Sequence, residues 1–168
     1  MQDFEIIDNW FKKANSDLVV ADICLKLIPP EIDQVCHHSF MAVEKLFKAF
    51  LTINNISFSR NHDIINLLQQ CQSVDFEFDI LLISCLIVVP YDSGIRYSNG
   101  FSTDFFIAKN VLKEAEKVYA FVFDKINAII DKIIESEPKF QQFNKRSLPI
   151  RINLNLSELK LQELEDGE

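Results

Sequence analysis

The sequence predicts a single all-α domain, and three features of its composition lead to that fold class. Its 168 residues are 48% hydrophobic, which suffices for one domain with its own core. Fifteen of them are phenylalanine, and this apolar, aromatic content argues against disorder. Only three glycines and five prolines are present, whereas a β-rich domain needs turn residues roughly every ten positions. The scarcity of glycine also excludes a glycine-rich phosphate loop.

The charge balance limits the classes of partner that the chain can have. Seventeen basic and 25 acidic residues give a net charge of −8, which argues against a broad surface for binding DNA or RNA. A small basic pocket stays compatible with that balance. The last twelve residues hold five acids and one base, so half of the net charge lies in a solvated C-terminal tail.

We expect a cytoplasmic protein without a membrane segment. Asp3 and Glu5 stand where a signal peptide carries basic residues. The longest apolar stretch, 80–89, is about half the length of a membrane-spanning helix, so we expect it to be buried core. The four cysteines form no CxxC pair, which predicts reduced, buried thiols and no metal site.

The first two helices follow from apolar residues at steps of three and four. The first is predicted over 5–28, where Pro29 and Pro30 end it. The second is predicted to begin at Asp33, its N-cap, and to end near Asn54. Its wide apolar surface predicts packing on more than one side, one of which is a candidate subunit interface. Its polar residues share an arc of about 120°: Gln34, His37, His38, Glu44, Lys45, Lys48 and Thr52.

Three further helices complete the predicted bundle. A short third helix begins at His62 or Asp63 and ends near Cys71, and the run 80–89 forms a fourth, largely buried helix. A loop over 90–102 combines two glycines, charge and an aromatic residue. Ser102 or Thr103 then caps a long fifth helix that ends near Pro138. Its expected core residues are Ile107, Val111, Ala115, Val118, Val122, Ile126, Ile129 and Ile133.

The chain therefore divides into a helical bundle, 4–137, and a C-terminal arm with an acidic tail, 138–168. Apolar residues alternate with other residues over 148–156, and this alternation favours an extended arm.

Four motifs in this order resemble the HEPN domain family over about three-quarters of the chain. The first predicted helix contains the pattern W-x3-A-x2-DL-x2-A, and the second contains VCxH followed by A-x-EK-x2-KA-x-L. A His-Asp pair opens the third predicted helix, and an Arg-Tyr pair precedes the last one. The residues are Trp10, Ala14, Asp17, Leu18, Ala21, Val35, Cys36, His38, Ala42, Glu44, Lys45, Lys48, Ala49, Leu51, His62, Asp63, Ile64, Arg96 and Tyr97.

The resemblance implies an antiparallel up-and-down bundle of four or five helices, usually a homodimer with a polar cleft. Many members form a complex with a minimal nucleotidyltransferase. Others, of toxin type, are metal-independent ribonucleases that use an arginine and a histidine a few residues after it.

The chain departs from that ribonuclease motif. All three histidines precede Arg96, and Arg60 has His62 only two positions after it. Because histidine is the usual acid–base group near neutral pH, we expect no catalysis by this chain, and no cofactor. Phe40 and Met41 also replace glutamines that many relatives carry before the A-x-EK run.

A nucleotide-binding site is the expectation for the polar residues that the resemblance singles out. Its candidate members are Arg96, Tyr97, Lys45, Lys48, Glu44, His38 and His62. In this interpretation Arg96 binds a phosphate through its guanidinium and Tyr97 packs beside a base.

Several of these residues have a simpler alternative. His62 can make a capping or packing contact at the start of the third helix. Arg96 can instead form a loop-anchoring salt bridge with Asp92 or Asp104, and Glu44 can pair with Lys48 on a solvated helix face.

At the level of function, the leading expectation is a nucleotide-binding or nucleotidyltransferase-partner module. A ribonuclease that uses Arg96 and a purely structural adaptor that docks through its arm are the alternatives.

Overall fold

The computed structural model describes residues 4–58, 62–92 and 104–136, and in these ranges it is a bundle of helices with no strand. Arg96, Tyr97 and the predicted arm lie outside the described residues. The all-α prediction is confirmed. The five α-helices are α1 (Phe4–Lys26), α2 (Ile32–Ile53), α3 (Ile64–Val74), α4 (Leu82–Val88) and α5 (Phe105–Ser136), and 3-10 helices span Phe76–Leu81 and Val89–Tyr91.

Helix α2 is the centre of the bundle. It packs against α1, α3, α4 and α5, and fourteen of its 22 residues are buried. Its wide apolar surface is therefore covered within one chain, so it does not by itself indicate a subunit interface. The predicted N-cap was wrong, because the cap position is Glu31. Asp33 lies in the first turn instead, where its charge favours the helix dipole.

Helix α3 begins where the sequence predicted. The Asp63 carboxylate accepts a hydrogen bond from the backbone N–H of Asn66 at 3.0 Å, which satisfies one of the unpaired donors of the first turn. His62 lies immediately before this cap.

The run 80–89 was predicted to be largely buried, but only one of its two sides faces the core. Phe78, Leu81, Cys85 and Val88 face the core. The opposite side exposes large aliphatic residues, since Ile80 is 72% and Ile83 is 65% accessible. A continuous apolar run has no polar residue that would mark its outer face, so the sequence pattern could not distinguish one buried side from two.

Helix α5 begins after Asp104, whose carboxylate accepts from the backbone N–H of Ile107 at 2.8 Å. Asp104 thus occupies the capping role predicted for Ser102 or Thr103, which lie outside the described residues. Of the predicted core residues, Val111, Ala115, Val118, Val122 and Ile126 are fully buried, Ile129 and Ile133 are half-buried and Ile107 is exposed.

Three of the four cysteines, Cys36, Cys71 and Cys85, are buried as predicted, whereas Cys24 is only half-buried. All four cysteines are free thiols, and burial raises the pKa of Cys85 to about 12 and that of Cys71 further still. No described helix has the length and apolar character needed to cross a membrane. Within the described ranges, no group of three or more His, Cys, Asp or Glu residues is arranged to hold a metal ion.

Candidate functional site

The polar arc of α2 forms a seam that is buried at Glu44 and Lys48, partly buried at His37, His38, Lys45 and Thr52, and exposed at Gln34. Glu44 is 3% exposed and Lys48 is 7% exposed, although both are charged. Buried charges require partners, because an unpaired ion loses several kcal/mol of hydration. Glu44 and Lys48 pair with each other, and Asp17 of α1 and His62 before α3 complete two groups of three residues along the seam.

The first group, the Asp17 trio, joins α1 to α2. The carboxylate of Asp17 accepts from Nδ1 of His38 through one oxygen, at 2.9 Å, and from Nζ of Lys45 through the other. His38 and Lys45 are seven residues apart, so two helical turns bring them to the same side of α2. All three side chains are partly buried.

The second group, the Glu44 trio, joins α2 to the residues before α3. The carboxylate of Glu44 accepts from Nζ of Lys48, one turn along the helix, and from Nδ1 of His62 at 2.9 Å. Nζ of Lys48 also lies 5.8 Å from the ring centroids of both Trp10 and Phe58. Both rings therefore stabilise the ammonium group through their π faces.

The two trios fix the orientation of both imidazole rings. An ionised carboxylate only accepts hydrogen bonds, so the Nδ1 atom of His38 and of His62 carries a hydrogen. The other ring nitrogen, Nε2, is then the atom that can accept or exchange a proton. The side chain of His62 is 53% exposed and that of His38 is 27% exposed, whereas the lysines are committed to the carboxylates.

The structure thus brings together five of the seven predicted site residues: His38, Lys45, Glu44, Lys48 and His62. The Glu44–Lys48 pair is present as predicted, but in a buried place where the solvated-face alternative does not apply. Arg96 and Tyr97 lie outside the described residues, so the structure does not relate them to the seam.

Sequence reasoning missed the part played by Asp17. It is separated from His38 by 21 residues and from Lys45 by 28, so no local spacing could reveal the contacts. One signal was available, since Asp17 lies between the buried Ala14 and Leu18 on α1. A charged residue beside an apolar stripe requires a partner on the neighbouring helix.

The family comparison agrees with this architecture. The model of the family described as the HEPN domain matches residues 7–127, a range that includes both trios. No curated protein and no solved structure was found to match the chain.

Proposed function

The chain belongs to the HEPN domain family, and from this we propose that it is a cytoplasmic homodimer that binds a nucleotide or serves as the partner of a nucleotidyltransferase, without catalysis of its own. The HEPN domain is a helical module of nucleotide-binding or ribonuclease type. The observation that carries the proposal is the pair of trios in the polar seam.

The seam supports the binding of an anion through its histidines rather than its lysines. Each trio is neutral when its histidine is neutral and carries one positive charge when that histidine is protonated. The exposed edges of His38 and His62 then offer Nε2–H donors to a phosphate. Six residues separate His38 from Glu44, the hydrogen-bond partner of His62, which is about 9 Å along the axis of α2. The two histidines are therefore spaced suitably for contacts with one nucleotide.

Arg96 and Tyr97 complete the proposed site. The guanidinium of Arg96 is a bidentate phosphate ligand, and the ring of Tyr97 suits a base. Neither contributes an acid–base group, and no histidine follows Arg96 in the sequence. Because the arginine–histidine motif of the ribonuclease members is incomplete here, we propose binding without cleavage as the activity of this site.

Thermal unfolding with a panel of nucleotides tests the proposal. A ligand at 100 times its dissociation constant adds about 2.7 kcal/mol, which raises the Tm by roughly 5–10 °C in a chain of this size. We expect the shift in wild type and in the control Arg151→Ala, but not in Arg96→Ala or His62→Asn. The amide nitrogen of the asparagine takes the place of the imidazole Nδ1 and can still donate to Glu44, so that variant removes the imidazole Nε2 without removing the anchor.

The absence of a shift with every nucleotide would contradict nucleotide binding. The partner role would then be tested directly, with a purified minimal nucleotidyltransferase as the probe. A stable complex in light scattering supports that role, and two separate species contradict it.

A ribonuclease is the second candidate, favoured by the His62–Glu44 pair. A carboxylate-oriented imidazole is the usual form of a general base. Here Nε2 of His62 would take the proton of a ribose 2′-hydroxyl, whose oxygen attacks the phosphorus. The P–O5′ bond then breaks, and the leaving oxygen takes a proton from water. Metal-independent cleavage of RNA that is lost in both Arg96→Ala and His62→Asn would establish this activity.

A further inference from the structure

The segment that contains α4 leaves a row of large apolar side chains exposed. Beside Ile80 and Ile83, the row includes Phe76, which is 78% exposed, and Leu86, which is 52% exposed. A monomeric protein rarely exposes a contiguous apolar patch of this kind, and such a patch marks a place where another segment or molecule binds. We call these four residues the apolar stripe.

A groove of about 400 Å³ runs along the apolar stripe, between α4 and α5. Ile80 and Ile83 line it from one side, and Phe121 of α5 lines it from the other. Because a cavity of about 150 Å³ holds one benzene-sized group, the groove has room for roughly two or three aliphatic side chains. Its size and its lining thus suit an apolar occupant.

The polar side chains in the groove are paired with one another. The carboxylate of Glu114 accepts from the hydroxyl of Ser84 at 2.7 Å and from Nζ of Lys117 at 2.5 Å. Among the described residues that line the groove, no charge is therefore left to attract an ionic ligand. The seven residues of α4 carry no charge either, so nucleic acid is not a suitable ligand for this face.

The C-terminal end of α5 lies beyond one end of the groove. Ser84 meets Glu114, whereas Lys125 donates to Asp75 at 2.6 Å, so α5 runs antiparallel to α4 and to the 3-10 helix before it. Ser136 is the last residue of α5 and follows Lys125 by eleven residues. It therefore lies about 16 Å beyond the contact with Asp75 along the helix axis. The chain that follows α5 starts from this end of the groove.

The 32 residues that follow Ser136, which lie outside the described residues, are long enough to reach the whole groove. Glu114, the groove-lining residue farthest from Ser136 on α5, is 22 residues away, or about 33 Å. Residues 137–148 span up to about 40 Å in an extended chain. The segment 148–156 then brings five aliphatic residues at alternate positions, which share one side of an extended chain. They are Leu148, Ile150, Ile152, Leu154 and Leu156.

The segment is basic, whereas the residues at the near end of the groove are acidic. Residues 138–156 contain two lysines, two arginines and no acidic residue. At the groove end nearest to Ser136, Asp75 and Glu77 share one lysine, Lys125, and Asp79 is exposed. Complementary charges at a rim favour association and fix its orientation.

We propose that residues 148–156 of the same chain cover the groove and the apolar stripe. The segment runs antiparallel to α5, with its aliphatic side chains in the groove and the basic residues before it near the acidic end. Its tether gives it an effective concentration of about millimolar order, which favours it over a separate molecule. The inference does not depend on the proposed function, since the groove shares no residue with the polar seam.

Paramagnetic broadening of methyl signals in the full chain tests the proposal. A spin label is attached at Asn153→Cys in a Cys24→Ser background, because the other three cysteines are buried. Position 153 lies between two of the aliphatic residues, so the label faces away from the groove. We expect the methyl signals of Ile80 and Ile83 to lose most of their intensity. The signal of Ile23 on α1, an isoleucine that is also exposed, should keep its intensity.

Two charge variants of the segment provide a matched control. Ile152→Asp would place a carboxylate in the apolar groove, so it should restore the signals of Ile80 and Ile83. Asn155→Asp adds the same charge on the opposite side of the segment, and it should leave both signals broadened. Both positions follow the last helix of the bundle, so circular dichroism should show equal helix content.

A mixed sample distinguishes the chain's own segment from that of a second copy. Isotope-labelled protein without the spin label is mixed with spin-labelled protein that carries no isotope, so that only contacts between molecules broaden the signals. Broadening of Ile80 and Ile83 that is confined to the unmixed sample supports the proposal. Broadening of both signals in the mixture assigns the groove to a second copy and overturns it. Unchanged signals in both samples, equal broadening of Ile23, or an equal response to the two charge variants also overturn it.

Discussion

The buried Glu44–Lys48 pair yields the sharpest prediction on stability. Changing Glu44 to glutamine keeps the shape of the side chain but leaves the Lys48 ammonium without its counter-ion. The side chains of Glu44 and Lys48 are only 4% and 9% exposed, so water cannot replace the lost partner. Removing one member of such a pair costs about 3–5 kcal/mol of unfolding free energy, which lowers the Tm by roughly 10 °C.

The assay is urea unfolding followed by circular dichroism, with a second pair as the control. Lys26 and Asp22 on α1 have the same i, i+4 spacing, but their side chains are 52% and 32% exposed. Asp22→Asn should therefore cost less than about 1 kcal/mol. Equal costs for Glu44→Gln and Asp22→Asn would refute the reasoning.

A double variant separates the two charges. Replacing Lys48 by methionine in the Glu44→Gln background removes the unpaired ammonium and keeps an adaptable side chain between Trp10 and Phe58. We expect the double variant to recover most of the stability, since a buried ion pair and an apolar replacement are often close in energy. If the double variant is less stable than Glu44→Gln, the loss of stability in Glu44→Gln does not come from the unpaired Lys48 ammonium.

Three further outcomes follow from the structure. The hydrogen bond from Lys117 lowers the pKa of Glu114 below its ordinary value of 4.5. The ionised Glu114 carboxylate therefore stabilises the fold above pH 4.5, and this stabilisation is lost as the pH falls through the lowered pKa. Glu114→Gln should make the free energy of unfolding depend less on pH in the acid range. Burial raises the pKa values of Cys71 and Cys85, so a thiol reagent should reach them only on unfolding, while the half-buried Cys24 reacts first. Asp63→Ala removes the cap of α3 and should cost about 1 kcal/mol in urea unfolding.

Periodicity was sufficient to predict α1, α2, α3 and α5, because apolar residues at steps of three and four line the parts of each helix that face the core. The predicted core residues of α5 illustrate this, since Val111, Val118 and Val122 are all buried. Periodicity failed at 80–89, where both faces are apolar and only the tertiary structure decides which one is covered. The N-caps of α2 and α5 were misplaced by a few residues, because several acceptors stand near each helix start.

The polar seam could be predicted only in part. The Glu44–Lys48 pair follows from helical spacing, and the side shared by His38 and Lys45 follows from two turns of α2. The roles of Asp17 and His62 depend on how α1 and α3 pack against α2, and long-range packing has no local sequence signal. The burial of the pair likewise appears only when Trp10 and Phe58 are in place.

The most direct test of the account is an NMR titration of the histidine rings with nucleotide. Assigned through histidine-to-glutamine variants, the ring signals of His38 and His62 should first show the Nδ1–H form that their carboxylates require. On addition of the nucleotide that raises the Tm, both signals should shift saturably in wild type, and neither should shift in Arg96→Ala. Ring signals that stay unmoved in wild type while the nucleotide still raises the Tm would contradict the assignment of the seam as the binding site.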